Sequence, residues 1–172
     1  VVRRGPGGPS PFYAYRVHQD FGLYPEDMIH FGDGFEGFLK RCHNKDTAGY
    51  VLLNFWRPIP PTAGPVRSTP LAVCDPNTVR VEDCVPIKTY GLIPGGQHSL
   101  VLKHNADQKW YYYPDMTTDE ILVLRQFHYE RGMEAPYNRI KTIFHAAFKH
   151  PASSPKDEVR YSSEYRVGVW LK

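Results

Sequence analysis

Apolar positions along this chain gather into short runs closed by proline, glycine or polar turns, the pattern of strands rather than of long helices. Residues 51–59 (VLLNFWRPI) are apolar, rich in aromatics and stopped by proline, which predicts a buried strand. Residues 70–75 (PLAVCD) give a second short strand, and 79–87 (VRVEDCVPI) mix a turn with extended residues. Residues 98–105 and 109–116 read as two strands joined by the polar turn NADQ, a hairpin signal. At Thr117 the spacing changes. Thr117 and Glu120 stand as in a capping box, Ile121, Leu122, Leu124 and Phe127 follow, and Gly132 closes the segment, so TTDEILVLRQFHYERG predicts a helix. A shorter helix is expected near 36–42. Residues 141–148 (KTIFHAAF) and, after a Pro/Ser-rich turn, 159–171 complete the strands. Many short strands with one or two accessory helices favour a mainly β fold, a sandwich or jelly roll, over α/β.

Composition narrows the class. A chain of 172 residues suits one domain spanning 1–172, and its 41% hydrophobic and 14% aromatic content argues against disorder. The net charge of +3 is too small to mark a nucleic-acid surface. No apolar run reaches the roughly 18 residues a bilayer span needs, so neither nucleic acid nor membrane is expected as a partner. The three cysteines, Cys42, Cys74 and Cys84, are odd in number and lack metal-type spacing, which reads as reduced thiols in a cytoplasmic protein. The polar stretch VVRRGPGGPSPF reads as an approach loop, and a portion preceding Val1 is expected.

The stretch YRVHQDFG carries the first candidate chemistry. His18 and Asp20 are two residues apart, so on a strand both side chains point to one face. They are either a solvated edge or two ligands of a metal site that needs a third. His145, in TIFHAAF, is the candidate third ligand. Two imidazoles and a carboxylate on one face of Fe(II) leave positions for a bidentate co-substrate and O2, and the lack of thiolates argues against structural zinc. On the final strand Arg160, Ser162, Glu164 and Arg166 share a face. The R-x-S spacing of Arg160 and Ser162 combines a guanidinium fork with a hydroxyl, suited to the far carboxylate of 2-oxoglutarate. Arg57, in NFWRPI, is a candidate for a co-substrate carboxylate or an arginine paired locally; Asn54 and Trp56 lie on the opposite face. Packing and surface roles account best for the run WYYY, with Tyr111 or Tyr113 kept as a candidate donor to a bound carboxylate. His30, with Asp33 three residues on, reads as a loop histidine; His104 and His128 read as structural.

RVHQD, NFWRPI, PLAVCD, KWYYYPDM, TTDEILVLRQF, FHAAF and RYSSEYR occur in the order found in the fungal hydroxylase/desaturase group of non-heme iron oxygenases, which the chain resembles from about Arg16 to Leu171. That group includes relatives of the cephalosporin methoxylase component and amino-acid-modifying enzymes of secondary metabolism. The resemblance implies a double-stranded β-helix of cupin-like type, Fe(II) as cofactor and 2-oxoglutarate as co-substrate. His18, Asp20 and His145 match the iron ligands. Arg160 matches the arginine of the family's R-E-S block, with Tyr161 in place of the acidic residue, so Arg166 stands beside it as an alternative clamp. The expected activity is oxidation of a C–H bond, by hydroxylation, desaturation or cyclisation, in a small amino acid or peptide-derived metabolite. Two other readings stay open: a jelly-roll module that binds without catalysis, and an iron oxidase that does not use 2-oxoglutarate.

Overall fold

The protein is described by a computed structural model that covers residues 2–5, 13–28, 34–90, 95–133 and 140–172. The described strands form two antiparallel sheets. One contains, in spatial order, β1 (Val2–Arg4), β10 (Ser162–Leu171), β3 (Gly49–Pro58) and β8 (Leu122–Glu130). The other runs β5 (Cys84–Thr89), β6 (Gln97–Leu102), β2 (His18–Gln19), β9 (His145–Ala147), β4 (Leu71–Cys74) and β7 (Trp110–Tyr112). Most neighbours in space are far apart in sequence, as in the jelly roll that the strand pattern predicts. The fold is a double-stranded β-helix with the helix α1 (Phe35–Cys42) as an accessory. Among the described residues no helix is long and apolar enough to cross a membrane.

Alternation in β3 shows how the sequence builds the core. Tyr50, Leu52, Asn54 and Trp56 are buried, whereas Val51, Leu53, Phe55 and Arg57 are half-buried on the other face. Tyr50 and Leu52 pack with Phe127 of β8 and with Phe21 and Met28, which follow β2. Trp56 packs with Leu124 of β8, Leu71 of β4 and Met116. The second cluster joins the two sheets, while the first ties β3 and β8 to the segment after β2 and to α1, and removal of this apolar surface from water drives the association. Gly22 is required by close packing: a Cβ there would stand 2.1 Å from Oδ2 of Asp27.

Two expected elements differ. Residues 117–132 do not form a helix. Thr117 and Glu120 do make the bond expected of them, the Thr117 amide donating to Oε2 of Glu120 at 2.8 Å, but it closes a turn. The chain then enters β8, which pairs with β3 from Trp56↔Leu122 to Gly49↔Glu130. The pairing steps from Leu53↔Arg125 to Leu52↔Phe127, so Gln126 is the extra residue of a β-bulge. The bulge turns Leu124 and Phe127, three residues apart, to the same side, which imitates helical spacing. The NADQ hairpin is likewise absent. β6 is flanked by β5 and β2, and β7 pairs with β4. The turn itself forms, the Gln108 amide donating to the carbonyl of Asn105 at 3.1 Å, but the Asn105 side chain donates to Asp83 and the Lys109 amide to the hydroxyl of Thr78, and the flanking strands pair elsewhere.

Candidate metal centre

β2 is two residues long and lies between β6 and β9. Its pairing with β9 consists of one registered pair, His18↔His145, so two residues distant in sequence become direct cross-strand neighbours. Their rings are 4.5 Å apart between centroids. Asp20, two residues after His18, turns its carboxylate to the same side. Nε2 of His18 is 3.4 Å and Nε2 of His145 4.0 Å from Oδ1 of Asp20. One ligand atom from each of the three residues falls within 4.8 Å of the others. Donors sharing one ion at bonds of about 2.1 Å stand roughly 3 Å apart, so a small contraction completes a facial set.

Hydrogen bonds outside the trio fix which atoms face inward. Nδ1 of His18 lies 2.8 Å from the carbonyl of Arg16, and Nδ1 of His145 lies 3.2 Å from that of Ile143. A carbonyl only accepts, so each Nδ1 carries the proton and Nε2 is left facing Asp20. There it either holds a second proton against the carboxylate or lends its lone pair to a cation. Asp20 is nearly buried, and its Oδ2 accepts from Nη2 of Arg166 at 2.7 Å. Burial raises the Asp20 pKa, but the His18 hydrogen bond and the His145 and Arg166 charges outweigh it and hold the carboxyl well below the usual range. Burial lowers the pKa of His145 against the opposing pull of Asp20, which favours the neutral imidazole that a metal requires.

A cavity beside the trio is lined by His18, His145, Trp56, Leu71, Arg160 and Glu164, among others, and measures about 20 Å³, room for one water. Arg160, just before β10, is 2% exposed, its guanidinium 4.6 Å from the Tyr13 ring centroid and 5.1 Å from that of Trp56. Ser162 is buried, and its hydroxyl has no hydrogen-bond partner among the described residues. Glu164 is buried too, accepting from Arg166 at 3.1 Å and from Asn54 at 3.3 Å.

The structure thus brings His18, Asp20, His145, Arg160, Ser162 and Arg166 to one region. Arg57 is on the other face of β3 and donates to the carbonyl of Thr118. Tyr111 is 56% exposed on the edge strand β7, and its neighbours Trp110, Tyr112 and Tyr113 are exposed as well. His128 is buried on β8, bonded to Glu130. His30 and Asp33 lie outside the described residues. Sequence reasoning assigned no site role to Tyr13, Trp56 or Glu164. For the last two a signal existed, since Trp56 alternates away from Arg57 and Glu164 shares a face with Arg160.

Comparison with known proteins places the chain in a family. The family model described as oxidoreductase/YMDC permease-like domain matches residues 36–170, which include His145, Arg160 and Ser162. The chain belongs to that family. The resemblance to the fungal hydroxylase/desaturase group is borne out as well. Over 167 residues the chain is 25% identical to the hydroxylase/desaturase CTB9 of Cercospora beticola, covering 87% of this chain and 48% of that protein. It is 31% identical over 125 residues to the alpha-ketoglutarate-dependent dioxygenase phiK of a fungal species (strain ATCC 74256), covering 70% of this chain and 41% of that one. The chain spans about half the length of the curated relatives it matches. Its fold is that of a variant of the iron and alpha-ketoglutarate-dependent endoperoxidase NvfI, with a TM-score of 0.72 over 99% of this chain and 58% of that one, at 22% identity.

Proposed function

We propose that the protein is an Fe(II)- and 2-oxoglutarate-dependent oxygenase in which His18, Asp20 and His145 hold the iron. One observation carries the reading: the three side chains converge within 4.8 Å beside a cavity that also contains Arg160. The donor set is two imidazoles and a carboxylate without thiolate, which suits ferrous iron. When bound, iron and the keto acid supply oxidative decarboxylation by O2 to succinate and CO2, and with it the oxidising power for a C–H bond.

The residues of the chain do the holding and shielding. The carbonyls of Arg16 and Ile143 orient the two imidazoles, and Arg166 occupies Oδ2 of Asp20, so that Oδ1 is the oxygen turned inward. That engagement makes Arg160, rather than Arg166, the clamp for the far carboxylate, with the buried Ser162 hydroxyl as a second donor. Trp56, Leu71 and Ala147 form the apolar wall that excludes water. A cavity of about 20 Å³ is too small for a dicarboxylate, so holding the keto acid would require the Arg160 guanidinium to shift from its place over the Tyr13 and Trp56 rings. Arg160 and Arg166 offset Asp20 and Glu164 in formal charge. A divalent cation held by the trio leaves the site with a net positive charge, which favours entry of the dianion after the metal.

The proposed substrate is a small metabolite of fungal secondary metabolism, an amino acid or peptide-derived compound, oxidised in the cytoplasm; the hydroxylase/desaturase and dioxygenase names of the relatives support the reaction class. Calorimetric titration of 2-oxoglutarate into protein loaded with Mn(II), an inert stand-in for Fe(II), tests the reading. Binding is expected only with metal present, and Arg160→Gln should weaken it about 10- to 100-fold, the worth of one charge-assisted contact. Equal binding without metal, or no effect of the substitution, contradicts the assignment. Succinate formation in air with Fe(II) then separates an oxygenase from a binding module.

A further inference from the structure

Gln19 sits between two of the candidate ligands, yet its side chain points away from them. It is fully buried. Nε2 donates at 3.1 Å to the carbonyl of Phe21 and at 3.1 Å to that of Gln126 in β8, in the other sheet. Oε1 accepts from the hydroxyl of Thr142, three residues before His145. The two amide hydrogens and the carbonyl oxygen are therefore all in use.

The Gln126 carbonyl is free to accept because Gln126 is the bulge residue, skipped by the ladder between β3 and β8. The segment holding Thr142 is tied to β8 as well, the Ile143 amide donating to the carbonyl of Arg125 at 2.9 Å. We propose that Gln19 is a positioning residue for the metal centre, its buried amide locking the short strand with His18 and Asp20 to β8 and to the segment that delivers His145. The inference rests on the ligand assignment proposed above.

β2 needs such a lock. Two residues of strand, one registered pair with β9 and two with β6 give little backbone restraint. A slip of one residue would turn His18 and Asp20 to the opposite face. It would also drive the Gln19 amide out of its three hydrogen bonds, leaving buried polar groups unpaired. The amide thus penalises the misregister that would dismantle the site, and it couples the two arms that carry the ligands.

The test is Co(II) titration of the full chain followed by visible absorption, with thermal unfolding of the metal-free protein as a control. Gln19→Glu keeps the volume and an acceptor for Thr142 but loses both donors. Thr142→Val removes the hydroxyl at the far end, and Thr142→Ser restores it. The expected result is Co(II) affinity reduced about 10- to 100-fold, with an altered ligand-field spectrum, in Gln19→Glu and in Thr142→Val, and near wild-type behaviour in Thr142→Ser. Should Gln19→Glu fail to fold, the Thr142 pair decides alone. Wild-type affinity and spectrum in the folded variants overturn the positioning role. Failure of the wild-type chain to bind Co(II) at 1:1 instead overturns the ligand assignment on which it rests.

Discussion

At the scale of single residues, the site depends on which atom of each side chain is already committed. Nδ1 of both histidines is occupied by carbonyls and Oδ2 of Asp20 by Arg166, leaving two Nε2 atoms and Oδ1 to face one another. His145→Ala should abolish stoichiometric Fe(II) binding while the apo protein stays folded, measured by anaerobic dialysis and metal analysis. Trp56 offers a second readout. If the keto acid draws Arg160 off the indole, 2-oxoglutarate added with Mn(II) should change tryptophan fluorescence in the wild-type protein and much less in Trp56→Phe. The pairing of His18 with Asp20 was legible because period two is a local rule, and so was the shared face of Arg160 and Ser162. Tyr13 and Gln19 were not. Their partners, Arg160 and Gln126, are supplied by elements more than a hundred residues away, which no spacing rule reports.

At the scale of elements, β8 shows both the reach of pattern reading and its limit. The bulge at Gln126 shifts the inward positions from Leu122 and Leu124 to Phe127 and Tyr129, so the strand borrows a spacing of three from the helix. Substitution separates the two. Phe127 is 1% and Val123 50% exposed, on opposite faces of the strand, whereas a helix would bring positions four apart to one face. Phe127→Ala should cost about 3–5 kcal/mol in urea unfolding and Val123→Ala less than about 0.5 kcal/mol. β3, by contrast, was readable within two residues of its ends, because its apolar, aromatic run is continuous and closed by Pro58. The missing hairpin has a different cause. Antiparallel neighbours in a jelly roll are chosen by the whole sheet, and both edges of β6 were taken by β5 and β2.

At the scale of the molecule, buried polar groups make stability depend on pH. Burial lowers the pKa of His128 from its ordinary 6.5, outweighing the Glu130 hydrogen bond and charge, with Lys141 and Arg125 acting in the same direction as burial. The Lys141 and His128 hydrogen bonds lower that of Glu130. Both folded values lie below the unfolded ones, so each group's contribution is complete above its unfolded pKa and is lost as pH falls through the folded value. Urea midpoints should therefore drop as pH is lowered from 7.5 to 5.5, and His128→Asn should flatten the decline, leaving the part that His145 supplies in the same direction.

The proposed metal centre requires one ion bonded by residues from two separated stretches of chain. Anomalous diffraction at the iron edge, from crystals soaked anaerobically with Fe(II), asks for this directly. The expected result is a single peak within bonding distance of Nε2 of His18, Nε2 of His145 and Oδ1 of Asp20. Iron absent from that position, or bound at another while these three side chains keep to one another, would contradict it.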